Sequence, residues 1–209
     1  MKSTLFIPEQ VTPHFKMRSL TISMKSTNSN LGKTLSKEDF SRYIKLYELA
    51  QKKPKKALRG ALEILSAYPH QSELLNFLTY IYLSKRKVRK AEKLIIENYT
   101  HNPDDLLVKI NYADYCIRKK RSSEILKIFG EKLDLRTIYP RRSIFDLAEF
   151  RGFMVVMGFY HLSIQKKDAA EGYFYLAHTV DKNHTSVQLL KKKLYKKPFY
   201  KKLFRIDRS

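Results

Sequence analysis

Residues 72 to 105, SELLNFLTYIYLSKRKVRKAEKLIIENYTHNPDD, decide the fold. Apolar residues recur at three-and-four spacing over 73 to 84, a polar basic turn follows, and a second periodic stretch runs up to Pro103. That pattern spells two amphipathic helices joined by a short turn. The unit recurs, because Pro69 precedes Pro103 by 34 residues and Ala57 precedes Ala91 by the same 34. A fixed period of this length marks a stacked helical repeat. Three further segments, 39 to 50, 106 to 118 and 144 to 164, carry the same apolar spacing and little Gly or Pro. Each is expected to be the first helix of a pair. Close packing within a pair needs a small residue where the helices cross, and Ala57, Ala91 and Ala170 supply it.

Placing the proline at repeat position 32 starts the repeats at Glu38, Ser72 and Leu106, with a fourth near Arg151. The second repeat resembles the tetratricopeptide repeat, through Leu75, Leu78 and Tyr82, then Ala91, Ile95 and Pro103; Thr79 stands where that family prefers Gly. The fourth is similar through Met157-Gly158, Ala170, Phe174 and Ala177, with Lys182 in place of the proline. The third keeps Tyr112-Ala113 and Phe129 but has Ile125 and Thr137 at the small-residue and proline positions. The resemblance implies an all-α, right-handed solenoid of about four repeats (38–71, 72–105, 106–139 and 151–182). One helix pair cannot bury its own apolar face, so the stack needs a cap, for which residues 184 to 197 are the candidate. Tyr139-Pro140 argues for a break before the fourth repeat, with helix resuming after Ser143.

Residues 1 to 37 read differently, with eleven Ser or Thr, six basic residues and one acid, Glu9. They are expected to form a flexible leader, with Met17 and Met24 as alternative starts. Their composition also suits a mitochondrial presequence, although Arg is scarce there. The single cysteine, Cys116, excludes an internal disulfide and fits a reducing compartment such as the cytoplasm. Its place on a helix suits a packed thiol. No apolar run is long enough to span a membrane; the richest, Phe153 to Leu162, fits a buried helix.

The formal net charge is +22. Residues 191 to 209 alone hold nine basic residues and one acid. Within the repeats, Lys52, Lys53, Lys55 and Lys56 become Arg86, Lys87, Arg89 and Lys90, then Lys120 and Arg121, then Lys166 and Lys167. All occupy the turn between the two helices of a pair, where the tetratricopeptide family usually has Gly-Asp or Gly-Asn. Stacking places equivalent turns along one edge, so a basic ridge is expected, either solvated or touching phosphates or an acidic surface. The tail interleaves Lys191, Lys192, Lys193, Lys196, Lys197, Lys201, Lys202 and Arg205 with Tyr195, Phe199, Tyr200 and Phe204. Such a mixture can stack on bases, meet a membrane interface, or simply close the stack. Pro198 interrupts any long amphipathic helix there, which weighs against the membrane.

The resemblance further implies that the first helices line a concave groove, here with Tyr43, Leu46, Asn76, Phe77, Tyr80, Asn111 and Asp114. Such a groove suits a peptide or partner helix with a few apolar anchors. The clamp by which some family members hold acidic chaperone tails is not matched, since of its positions only Asn111 fits. Catalytic motifs are lacking: there is no Gly-rich phosphate loop, HExxH, cysteine pair or nucleophile elbow. The six histidines show no ligand-like spacing, and neither metal nor cofactor is expected. The expectation is therefore a non-enzymatic adaptor that holds a protein partner. The alternative is a ribonucleoprotein or RNA-processing factor that uses ridge and tail.

Overall fold

The computed structural model describes residues 2 to 7, 18 to 23 and 31 to 196. Helices dominate it. In chain order they are α1 (Leu31–Thr34), α2 (Lys37–Lys52), α3 (Pro54–Ala67), α4 (Ser72–Ser84), α5 (Val88–His101), α6 (Leu106–Arg118), α7 (Glu124–Phe129), α8 (Leu135–Ile138), α9 (Leu147–Ser163), α10 (Lys167–Asp181) and α11 (Thr185–Leu194). Three strands join them: β1 (Lys2–Ile7), β2 (Arg18–Ser23) and β3 (Ile144–Asp146). The chain divides into two compact units, residues 1 to 149 and 150 to 209.

In the first unit each helix from α1 to α7 packs on the next. Local chemistry sets the boundaries. Ser36 caps α2 by accepting the Asp39 N–H at 3.1 Å, Pro54 opens α3, and Asp105 caps α6 by accepting the Val108 N–H at 3.1 Å. Of the alanines expected at the helix crossings, Ala57 and Ala91 are both fully buried, and in the third pair Ile125 is buried in the corresponding place. On α3, a methyl at Gly60 would lie 2.9 Å from both Leu46 methyl groups, so a side chain there would require Leu46 to shift. Leu74, Leu75, Leu78 and Ile81 give α4 a face with almost no solvent exposure.

Repeat three departs from its siblings. Its second helix, α7, lasts six residues and stops at Gly130, whose φ of 81° continues no helix. The chain then runs through α8 to β3, so the helix expected over 144 to 164 begins at 147, after three residues of strand. β3 pairs in parallel with β2 (Thr21 with Ile144, Ile22 with Phe145, Ser23 with Asp146), and β1 pairs antiparallel on the other side of β2. Leu20, Ile22 and Phe145 are buried to within 1%. Part of the expected leader is therefore built into the fold, as are Leu31 and Leu35, which join the core around α2 and α3. The alternation Ser19-Leu20-Thr21-Ile22-Ser23 is a strand signal, but its partner lies some 120 residues away in sequence. At the start of α9, Asp146 and Glu149 form a reciprocal capping box, N–H to carboxylate at 3.0 and 2.7 Å. Arg142 holds Glu149 with two nitrogens, at 2.6 and 3.1 Å.

In the second unit Phe153 and Met157 of α9, Ala170 and Ala177 of α10, and Val187 and Leu190 of α11 are fully buried. Arg151 ties α9 to α10 through Asp181 at 2.7 Å. A methyl at Gly158 would meet Leu190 at 2.5 Å, so the contact of α9 with α11 requires glycine or a displaced leucine. Among the described residues no helix is long and apolar enough to cross a membrane.

The sheet is expected to matter energetically. A chain starting at Met24 loses β2, and with it the burial of Leu20 and Ile22, about 3 to 6 kcal/mol in all. A chain starting at Met17 keeps it. A Met17 start loses β1 and its pairing with β2, as a Met24 start does, so urea unfolding of the two should show the lower midpoint for the Met24 start; equal midpoints for the two starts would mean that β2 adds nothing to stability.

Candidate functional site

Aromatic contacts align the first helices of successive pairs. Tyr43 of α2 meets Phe77 of α4, 34 residues on, edge to face with ring centroids 5.4 Å apart, and Tyr47 lies 5.6 Å from the same ring. Asn111 of α6 then donates to Asn76 of α4 at 2.9 Å, across a 35-residue interval. Near-identical repeat positions thus meet side by side, which brings the C-terminal ends of α2, α4 and α6 to one edge.

This alignment uses up much of the expected groove. Tyr43 and Phe77 are 3% and 4% exposed and belong to the core, and Leu46 lies over Gly60 on α3. Burial raises the Tyr43 phenol well above its ordinary range. Asn76 also accepts from Asn98 at 3.1 Å; Asn98 donates to the Ser72 carbonyl and accepts from Asn102 at 2.9 Å. The result is a satisfied polar seam joining α4, α5 and α6. Asp114 is paired with Arg118 at 2.8 Å. Of the expected groove residues Tyr80 remains broadly exposed, at 43%; Leu83 on the same helix is 43% exposed, and Tyr47 of α2, which meets Phe77, is 42% exposed. Tyr47 was not foreseen, because one position along a helix turns a side chain by about 100°.

The turns between paired helices are built three times on one plan. The N–H groups of Lys85, Arg86 and Lys87 bond to the carbonyls of Ile81, Leu83 and Tyr82; Lys119, Lys120 and Arg121 do the same with Tyr115, Ile117 and Cys116; Ile164, Gln165 and Lys166 with Tyr160, Leu162 and His161. Each motif requires a left-handed residue, and here that residue is not glycine: Arg86 (φ 56°), Lys120 (φ 60°) and Gln165 (φ 63°). Of the helices that follow these turns, α5 and α10 start from Lys87 and Lys166, and α3, after a different turn, starts from Lys53, all with no side-chain cap. Lysine there neither accepts the free N–H groups nor suits the positive end of the helix dipole.

All twelve expected ridge residues are exposed: Lys52, Lys53, Lys55, Lys56, Arg86, Lys87, Arg89, Lys90, Lys120, Arg121, Lys166 and Lys167. Among the described residues only Lys167 of these has a carboxylate partner, Glu171 at 3.4 Å. Other cations do pair: Arg59 with Glu63, Arg118 with Asp114 and Lys127 with Glu124 on the helices, and Lys119, in the α6–α7 turn itself, with Glu92, all within 3.0 Å. The turns α2–α3, α4–α5 and α6–α7 share the first unit; Lys166 and Lys167 belong to the second. In the tail, Lys191, Lys192, Lys193 and Lys196 are exposed at and just beyond the end of α11, and Lys197, Lys201, Lys202 and Arg205 lie outside the described residues.

Cys116 is buried and its thiol is pushed up by desolvation, away from the thiolate a nucleophile needs. His70 and His101 stack with centroids 3.7 Å apart. His161 stacks on Tyr173 at 5.2 Å, and both its ring nitrogens are buried without a hydrogen-bond partner. Desolvation, and then the Lys166 charge, lower its pKa. Among the described residues no three His, Cys, Asp or Glu side chains gather as metal ligands would. Comparison with protein-family models, curated proteins and solved structures finds no match in any of the three.

Two outcomes follow from the turns and from His161. Arg86→Gly and Lys120→Gly are each expected to raise stability by about 1 kcal/mol, because the left-handed conformation costs an L-residue that much; chemical denaturation that shows no gain would contradict the strain. For His161 the depressed pKa means that the unfolded chain takes up protons first. The contribution of His161 is therefore complete above the unfolded value of about 6.5 and is lost as pH falls below it. The melting temperature should drop between pH 7.5 and 5.5, and His161→Phe should flatten part of that slope; His184, also depressed by burial, keeps the rest.

Proposed function

We propose that this protein is a non-enzymatic adaptor of the tetratricopeptide kind, a right-handed stack of about four helix pairs closed by α11, that holds an acidic protein partner against its turn edge. The observation that carries this reading is the row of exposed cations at the helix-pair turns, of which, among the described residues, Lys167 alone has a carboxylate partner. Lysines at three uncapped helix starts reduce the stability of the isolated fold, and carboxylates from a partner would offset that loss at the same atoms. The lone buried Cys116 suits a reducing compartment, for which the cytoplasm is proposed.

A second reading, RNA binding, draws on the end of α11. Lys191, Lys192 and Lys193 there stand beside Tyr195, which is 52% exposed, and a cation next to an open ring is a stacking platform for a base. Fluorescence anisotropy at physiological salt separates the two, using an acidic peptide and mixed-sequence RNA, with and without residues 191 to 209. Tighter peptide binding that survives truncation supports the adaptor; tighter RNA binding that truncation weakens supports the alternative.

The double variant Lys53→Asp, Lys87→Asp has two readouts that move in opposite directions. Capping should raise stability by about 1 kcal/mol per site. Affinity for the acidic peptide should fall about tenfold or more. A gain in stability with affinity unchanged would remove these turns from the interface.

A further inference from the structure

We infer that Tyr47, Tyr80 and Leu83, together with the α4–α5 turn, form the docking surface for a short extended acidic segment that carries large apolar anchors. The inference rests on the adaptor reading and states where and by what chemistry the partner binds. The three side chains are linked through Phe77. Tyr47 reaches α4 at Phe77, Tyr80 follows Phe77 by three residues and Leu83 follows Tyr80 by three, so each covers the next turn of one helical face. All three are more than 40% exposed. Three residues past Leu83 comes Arg86, then Lys87, both exposed and without a carboxylate partner among the described residues.

The surroundings define the size of the patch. On one side the Asn76–Asn111 hydrogen bond and the buried Tyr43–Phe77 contact close the face. On the other, α6 offers Asp114 at the position equivalent to Tyr80, and its carboxylate, although paired with Arg118, opposes an acidic ligand. What remains is two helices wide. A folded partner needs roughly 800 Å² on each side, more than three partly exposed side chains provide, whereas a peptide anchored by one or two residues does not.

Spacing sets the motif. Residues three apart on a helix are about 5 to 6 Å apart at Cβ, and an extended chain advances about 3.3 Å per residue. α4 ends at Ser84, so the α4–α5 turn follows Leu83 at once, and an acid a few residues along from an anchor over Tyr80 and Leu83 comes up against Arg86 or Lys87. Alternating acidic and large apolar residues meet that requirement. A purely acidic peptide finds the cations but leaves Tyr80 and Leu83 in water.

The test compares two labelled 12-residue probes of equal charge at physiological salt, one alternating Asp with Leu and Phe, the other alternating Asp with Ser. The full chain should bind the first at least tenfold more tightly. Tyr80→Ser with Leu83→Ser should erase that excess and leave the Asp/Ser probe unaffected, while Leu62→Ser with Ile96→Ser, at residues of α3 and α5 that are 43% and 41% exposed, should change neither. Equal affinities for the two probes, with both abolished by Arg86→Glu and Lys87→Glu, would overturn the docking surface and leave the adaptor reading standing. Binding of neither probe, or much tighter binding of mixed-sequence RNA, would overturn both.

Discussion

A pair of short antiparallel helices has one apolar face too many, and the architecture of the first unit follows from that constraint. The face is hidden only when the next pair is laid against it in register. Tyr43 against Phe77 and Asn76 against Asn111 are the side chains that set this register, one by burying two rings and the other by pairing two amides. Because matched positions meet, the turns come out at one edge. Charge placed on those turns becomes a row instead of a scatter. The same constraint leaves Tyr47, Tyr80 and Leu83 more than 40% exposed.

The turns carry two costs at once. A left-handed backbone at Arg86 and Lys120 would be free of strain with glycine, and a helix start at Lys53 or Lys87 would be satisfied by Ser or Asp. Neither remedy is present. Both costs would be offset by the acidic partner proposed for this edge, whose carboxylates would meet the same cations and helix starts. His161, buried with both ring nitrogens unpaired, is a further polar cost, located in the second unit.

The helices were legible because a 34-residue period with alanines at the crossings leaves few other solutions; Ala57, Ala91 and Ala170 are fully buried. The sheet was not, since six residues of alternating pattern inside a Ser/Thr-rich stretch give no sign of a partner as remote as Ile144. The early end of α7 comes at Gly130, a residue at φ 81° just after Phe129, which the repeat pattern keeps as a family position. For the site, the cations could be read from composition and position. The groove could not: an aromatic at a repeat position looks the same in sequence whether it faces a ligand or, as Tyr43 and Phe77 do, the neighbouring pair. Backbone φ at Arg86 and Lys120, the signal that singles out the turns, has no counterpart in the sequence apart from the missing glycine.

Segment-resolved hydrogen exchange with and without an acidic, apolar-anchored peptide tests the central claim most directly. The account predicts added protection at residues 80 to 90, weaker protection at 52 to 56 and 119 to 123, and none along α3 and α5 beyond their first turns. Protection centred on those second helices or on the seam of Asn76, Asn98 and Asn111, with the turns unchanged, would contradict it.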